Sequence, residues 1–469
     1  MLARIVRHEA RLIVADPTLW ALALVLAGVV GYGVVNGASW VAFQRETLSA
    51  AAEEESARYE DLQARFGSPG FDDGLNAALV GRSLGARYVS MPPGPLAALV
   101  IGQSDLYPYY FKVTTEGQQS FLGDDEIENP SHLLTGRFDL GFVIIALFPL
   151  AILALSYNLL SSEKERGTLT LLLSQPVTLQ TLVLGKVLTR GLMVMVLAVG
   201  ISIGGFAISG GDFSDHEGMA LAGLWLAVVL AYGAFWFALA VAINALGRSS
   251  ATNALALAAA WLALVAVVPA LVNVLVKTLY PVPSRVELVQ AIRTASNEAQ
   301  SEGSRLRARY FEDHPELVGA EADYDEYAIQ TLAVQEAVEA SVQDVLGLYE
   351  TQLRRQQSLV DRLRFLSPAI VTLEALQDVA GTGSARFRHF LDQVEAFHAD
   401  WRAFFRPRIL RGEPIRAEDL ANLPEFRFQE ESTGSVAARS AVGLAGLLTP
   451  TLIVGLLGRA ALRRYPIVG

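Results

Sequence analysis

Residues 161–176 read SSEKERGTLTLLLSQP, and they stand between two apolar runs, 138–160 and 183–208. Each run is long enough to cross a bilayer as helix, which takes about 20 residues. Between them lie four alternating charges (Glu163, Lys164, Glu165, Arg166), a Gly-Thr pair, a leucine run and a Gln-Pro stop. Gly167-Thr168 restarts a short helix whose apolar face is Leu169, Leu171, Leu172 and Leu173, and Ser174-Gln175-Pro176 ends it before Thr178. Such an element lies at the membrane surface. It is either a plain interfacial connector with solvated charges or a docking element for a soluble partner.

Four more apolar runs, at roughly 18–36, 219–246, 251–276 and 435–457, bring the expected spans to six. The composition agrees: 52% of the 469 residues are hydrophobic and 18% charged. The first run follows Asp16-Pro17, a helix start. It exceeds the 7–15 residues of a signal-peptide core, so it reads as an anchor.

Lys and Arg near the spans collect on one side: Arg4, Arg7 and Arg11, then Lys164, Arg166, Lys186 and Arg190, then Arg248, then Arg459, Arg463 and Arg464. The other side holds two long segments, 37–137 with 7 basic and 14 acidic residues and 277–434 with 18 and 26. The positive-inside bias puts both termini in the cytoplasm and both long segments outside. The chain divides into 1–36 (entry helix and first span), 37–137 (first outer insertion), 138–276 (spans two to five, with 161–178 on the inner side), 277–434 (second insertion, helical) and 435–469 (sixth span and tail). The expected fold is an all-α membrane protein whose outer domain, mainly α, is built from two insertions.

Within the outer segments, 38–66 continues the first span outward until Gly67 and Pro69, and Tyr107–Thr115 has strand composition. Residues 322–366 read as one helix stopped by Ser367-Pro368. Residues 384–405 carry an aromatic stripe (Phe387, Phe390, Val394, Phe397, Trp401, Phe404) that reads as core. Inside the spans, Asn158, Asn244, Asn253 and Asn273 suit interhelical hydrogen bonds. Arg190 and Arg439 can snorkel to the interfaces. Pro149, Pro269 and Pro450 are kink candidates, and Gly200, Gly204 and Gly205 suggest close packing.

Much chemistry is excluded. There is no cysteine, and the six histidines (His8, His132, His216, His314, His389, His398) form no metal-ligand spacing. A net charge of −11 argues against nucleic acid. Span interiors lack the acid, His or Lys relays of ion-coupled transporters. Leu184-Gly185-Lys186 fails as a phosphate loop, since Gln180 stands where its first Gly belongs and Val187 where Ser or Thr must follow. Any ATPase is therefore another chain, and no cofactor is expected in this one.

The string EKERGTLTLLLSQPVTLQTLVLGK (163–186) resembles the signature of ABC-2-type transporter permeases, through Glu163, Glu165, Gly167, Thr168, Leu169, Pro176, Gly185 and Lys186. RHEARLIVADP (7–17) is similar to that family's amphipathic entry helix. PLAALVIGQSDLYPYYFKVTT (95–115) and RFLSPAIVTLEALQDVAGTGSARFRHFLDQVEAF (364–397) resemble the subgroup associated with multi-copper enzyme maturation. The resemblance implies a six-span permease that pairs with a second permease chain, as homo- or heterodimer, and with two ATPase subunits that bind ATP and magnesium. It implies that Glu163, Lys164, Glu165, Arg166, Gly167, Thr168, Leu169 and Pro176 form the ATPase-coupling segment, with Gly185 and Lys186 at the inner entry of the third span. Two functions then stand open: ATP-driven export across a bacterial inner membrane, or mechanotransmission in which the outer domains act on an external client and nothing crosses.

Overall fold

The structure, a computed structural model, describes residues 2–15, 17–66, 74–117, 138–208, 215–313 and 326–466. The expected helix break at Gly67 and Pro69, together with His132 and His314, lies outside the described residues. Six described helices are long and apolar enough to cross a membrane. The protein is an all-α membrane protein, and its only described sheet is one two-stranded ribbon.

A short amphipathic helix, α1 (Leu2–Ala15), leads into α2 (Pro17–Phe66), which carries the first span and runs on without interruption into the first insertion. The ribbon follows: β1 (Arg87–Ser90) pairs antiparallel with β2 (Tyr110–Val113), Arg87 opposite Val113 and Ser90 opposite Tyr110. The second span is α3 (140–156), whose first turn is capped by Asp139 accepting from the Phe142 amide at 2.7 Å. Two short helices, α4 (Ser161–Glu165) and α5 (Thr168–Leu173), precede α6 (Leu179–Ile208). Then come α7 (His216–Asn244) and α8 (Ser250–Leu279). The second insertion contributes α9 (Arg285–Ser301), α10 (Gly303–Asp313), α11 (Glu326–Leu363), α12 (Pro368–Ala380) and α13 (Ser384–Arg411), and α14 (Thr433–Leu462) is the last span.

Two of the three span prolines have a visible effect. Pro149 and Pro269 each follow a π-turn, Val143–Leu147 and Leu262–Val267. A proline has no N–H to return to the carbonyl one turn earlier, and in lipid that carbonyl needs another donor. The Tyr232 hydroxyl donates to the Ile145 carbonyl at 2.9 Å, and the Trp261 indole to that of Ala146 at 3.0 Å. Beside Pro269, the Ser367 hydroxyl donates to the Leu264 carbonyl at 2.5 Å. Pro450 lies within the continuous α14.

That last contact relocates part of the second insertion. Leu264 lies about 21 Å along α8 from its Ser250 end, well inside the apolar length of the span. Phe365 lies against Gly446 of α14, where an added Cβ would meet its ring at 2.6 Å. Residues 364–380, counted with the outer segment in the sequence, thus enter between the spans and return. Val371, Ala375, Leu376 and Val379 of α12 share one apolar cluster with Trp225, Tyr232, Trp236 and Leu447 of the spans. Leu96, Leu99 and Val100 of the first insertion join the same cluster. Their approach needs Gly37, whose Cβ would fall 2.0 Å from the Ala98 carbonyl oxygen. The small residues of the third span behave otherwise: Gly200 and Gly204 face open space.

Both insertions close over one outer core. The aromatic stripe of α13 (Phe390, Phe397, Trp401, Phe405) packs on Leu62 of α2 and on Val80, Val89, Phe111 and Val113. The Trp401 indole donates to the Gly81 carbonyl at 3.1 Å, and Leu75 bridges Ile415 as an isolated strand pair.

Candidate functional site

At the end of the bundle away from the insertions, three segments distant in sequence converge on one ammonium. Lys186 of α6 is 3% exposed; its Nζ stands 3.0 Å from Glu163 Oε1 of α4 and 3.4 Å from Glu9 Oε1 of α1. Arg190, one turn further on, lies 3.8 Å from Glu9 and donates to Asn158 Oδ1 at 3.0 Å and to the Leu155 carbonyl. Two carboxylates and two cations make a neutral cluster, which is how charge is tolerated away from water. Arg190 therefore pairs inward rather than reaching for the interface. Gly185 lets α1 approach: a Cβ there would sit 2.6 Å from Ile5 Cγ2.

Lys164 and Glu165 of the charged turn are held as well. Lys164 donates to the Gly247 carbonyl at 3.4 Å and stands 5.8 Å from the ring centre of Tyr465. Glu165 accepts from the Ser250 amide at 2.6 Å and its hydroxyl at 2.8 Å, so it caps the start of α8. Thr168 donates its hydroxyl to Glu163. Gly167 takes φ +70°, the left-handed turn that ends α4 and restarts the chain as α5. Leu169 is buried with Leu160, Leu182, Val183, Ala245, Leu462 and Tyr465, and Leu172 and Leu173 pack on that cluster.

Leu171 alone of the expected apolar face points away, 70% exposed. With Arg166, Thr170, Ser174, Gln175 and Pro176 it forms an exposed knob on a braced base. Of the residues singled out by sequence, Glu163, Lys164, Glu165, Thr168, Leu169, Gly185 and Lys186 are brought together as the brace. Arg166 and Pro176 lie on the knob, and Gly167 is the hinge between the two helices.

Behind the brace, Asn244 donates to the Ser156 carbonyl at 2.9 Å and accepts from Asn253 at 3.3 Å, joining α3, α7 and α8 as their sequence suggests. Asn158 serves Arg190, whereas Asn273 is exposed. Among the described residues no group of His, Asp and Glu could hold a metal.

Residues 117–282, from the second span through α8 with this turn between them, match the model of the ABC-2 family transporter proteins. That part of the chain is an ABC-2-type permease domain. Residues 285–429 match a domain of unknown function, DUF3526. These matches support the family and not the multi-copper maturation subgroup; most of the second insertion, including 364–397, falls in the DUF3526 match. No curated protein and no solved structure matches the chain.

Sequence reasoning missed Glu9 as a partner of the permease's Lys186. A signal was present: Glu9 occupies the face that Leu2, Ile5 and Ile13 define at helical spacing, opposite Arg4, Arg7 and Arg11. An acid on the apolar face of an amphipathic helix needs a buried cation. Ser250, Gly247 and Tyr465 carried no such signal.

Proposed function

We propose that this permease is the transmembrane subunit of an ATP-driven exporter, with ATP and magnesium bound by two separate ATPase subunits and a second permease chain completing the membrane pore. One observation carries the reading: an exposed knob, with Leu171 at its crest, stands on a base braced to α1, α6, α8 and the C-terminal tail. A force applied to such a knob moves spans rather than dissipating in a flexible loop. In this reading the knob, both termini and the arginines of α1 face the cytoplasm of a bacterium, and the insertions face outward.

The test uses the absence of native cysteine. Thr170→Cys, in membranes containing the complex, is expected to cross-link to the ATPase subunit that copurifies with the permease, and ATP turnover is expected to change the yield. Cross-linking confined to lipid or to the permease itself would sink the coupling assignment.

A second reading is favoured by the filled outer end of the bundle. Residues 96–100 and 364–380 pack among the spans, and α2 runs unbroken from membrane into the outer core. Those features suit mechanotransmission, in which ATP turnover moves the outer domain against an external client. A disulfide between Ala375→Cys of α12 and Gly443→Cys of α14, where an added Cβ would lie 3.2 Å from that of Ala375, separates the two. Locking that contact blocks export if the wedge must leave, and leaves an outer-domain motion carried by α2 intact.

A further inference from the structure

We propose that α1 is a binding surface for anionic phospholipid headgroups and that the Glu9–Lys186–Glu163 chain reports its position to the knob. The second half rests on the coupling reading above; the first does not. Arg4, Arg7 and Arg11 are exposed and recur at three- and four-residue intervals, so they form one stripe. The stripe lies opposite the face made by Leu2, Ile5 and Glu9, which packs on α6.

The membrane is the favoured partner because the chain holds the stripe beside the start of the first span. Only Asp16 separates the end of α1 from α2, and α2 starts the first span at Pro17. The helix ends are further tied by the Trp20 indole, which donates to the Val14 carbonyl at 2.9 Å while the ring itself is exposed. An exposed tryptophan at the start of a span marks the headgroup layer. Leu12 and Val14 are exposed beside the stripe. A helix with arginines on one side and bare Leu and Val next to them, held at that depth, matches interfacial helices that select anionic lipid.

The report runs through contacts already described. Glu9 is buried and shares Lys186 with Glu163, and Ile5 closes on Gly185. A tilt of α1 must either carry α4 with it or separate a buried ion pair. Three arginines drawn to a charged surface supply enough bias for the first, each contributing roughly fivefold at low salt.

The experiment uses the full permease alone in vesicles of phosphatidylcholine, with or without phosphatidylglycerol, and two single-cysteine variants carrying an environment-sensitive dye. With the dye at Leu12→Cys, phosphatidylglycerol is expected to shift emission to the blue. Raised salt, and the exposed triple change Arg4→Gln, Arg7→Gln and Arg11→Gln, are expected to remove the shift. Equal emission in both vesicles, or a shift indifferent to the triple change, overturns the lipid surface. So does protection of that dye when the ATPase subunit is added to vesicles lacking phosphatidylglycerol, which would make the stripe a protein contact. With the dye at Thr170→Cys, phosphatidylglycerol is expected to alter emission in the parent. Glu9→Gln is expected to abolish that response while the Leu12 dye still reports lipid. A Thr170 dye blind to lipid, or one that responds equally in Glu9→Gln, overturns the relay and leaves the coupling reading standing.

Discussion

Lys186 and Glu163 meet at 3.0 Å across a 22-residue stretch that the sequence presents as a short amphipathic element at the membrane surface leading into the third span. Because Glu9 shares the same ammonium, the pair is a structural joint before it is anything else. Lys186→Met would strand two carboxylates with only Arg190 nearby. Removing one partner of a buried pair costs about 3–5 kcal/mol. The expected outcome is a clear fall in the melting temperature of the detergent-solubilised permease, with Lys186→Arg recovering most of it. Equal melting of Lys186→Met and the parent would remove the joint.

Reversing Glu163 to Lys is an ambiguous test of docking, because Glu163 is paired with Lys186. Glu163→Lys sets two ammonium groups against each other in a half-buried site, so lost ATPase stimulation would come with lost stability. Leu171→Asp is the cleaner variant, since that side chain is 70% exposed. It is expected to melt within about 0.5 kcal/mol of the parent, as exposed changes do, while stimulation of the partner ATPase falls severalfold. Full stimulation by Leu171→Asp would exclude the knob as the contact.

Ser367 donates to the Leu264 carbonyl and caps α12 by accepting from the Ala369 and Ile370 amides at 3.2 and 3.4 Å. Ser367→Ala loses both, and is expected to cost about 1–3 kcal/mol from the cap and the stranded carbonyl together. Hydrogen exchange is expected to rise selectively in 364–380, while α13 keeps its protection. Unchanged exchange there would mean that apolar packing alone holds the wedge.

His398 gives the outer core a pH dependence of definite sign. Burial on the inner face of α13 pushes its imidazole below the ordinary range, outweighing the contact of Nε2 with the Glu116 carbonyl at 2.7 Å. The unfolded chain then binds the proton more readily than the folded one. Stability is full above the ordinary histidine value of about 6.5, and falls as pH drops below it toward the folded value. Denaturation followed by fluorescence from the buried Trp401 region should show this loss, and His398→Asn should flatten it. A core that gained stability on acidification over that range would contradict the assignment.

Sidedness has a direct test. Cysteines at the exposed positions Ser56 and Ser341 are expected to react with an impermeant reagent on intact cells, and one at Thr170 only after lysis. The reverse pattern would invert the proposed orientation.

Six spans, the unbroken run of α2 past the first span, the strand at Tyr110–Val113, the stop at Ser367-Pro368 and the aromatic core stripe of α13 were all legible in the sequence. Each follows from hydrophobic period, length or turn chemistry within about one helix, where local sequence carries the signal. Tertiary structure alone decided what the charges of the 161–176 turn do. Glu163, Lys164 and Glu165 find partners at Lys186, Gly247 and Ser250, contacts that depend on how spans pack and not on neighbours in the chain. It also decided the fate of 364–380. A helix of mixed apolar and charged residues reads the same in an outer domain as in a wedge between spans. The contact of the Ser367 hydroxyl with the Leu264 carbonyl beside the π-turn, and the packing of Val371, Ala375, Leu376 and Val379 against the spans, place that segment in the bundle, and both exist only in the folded chain.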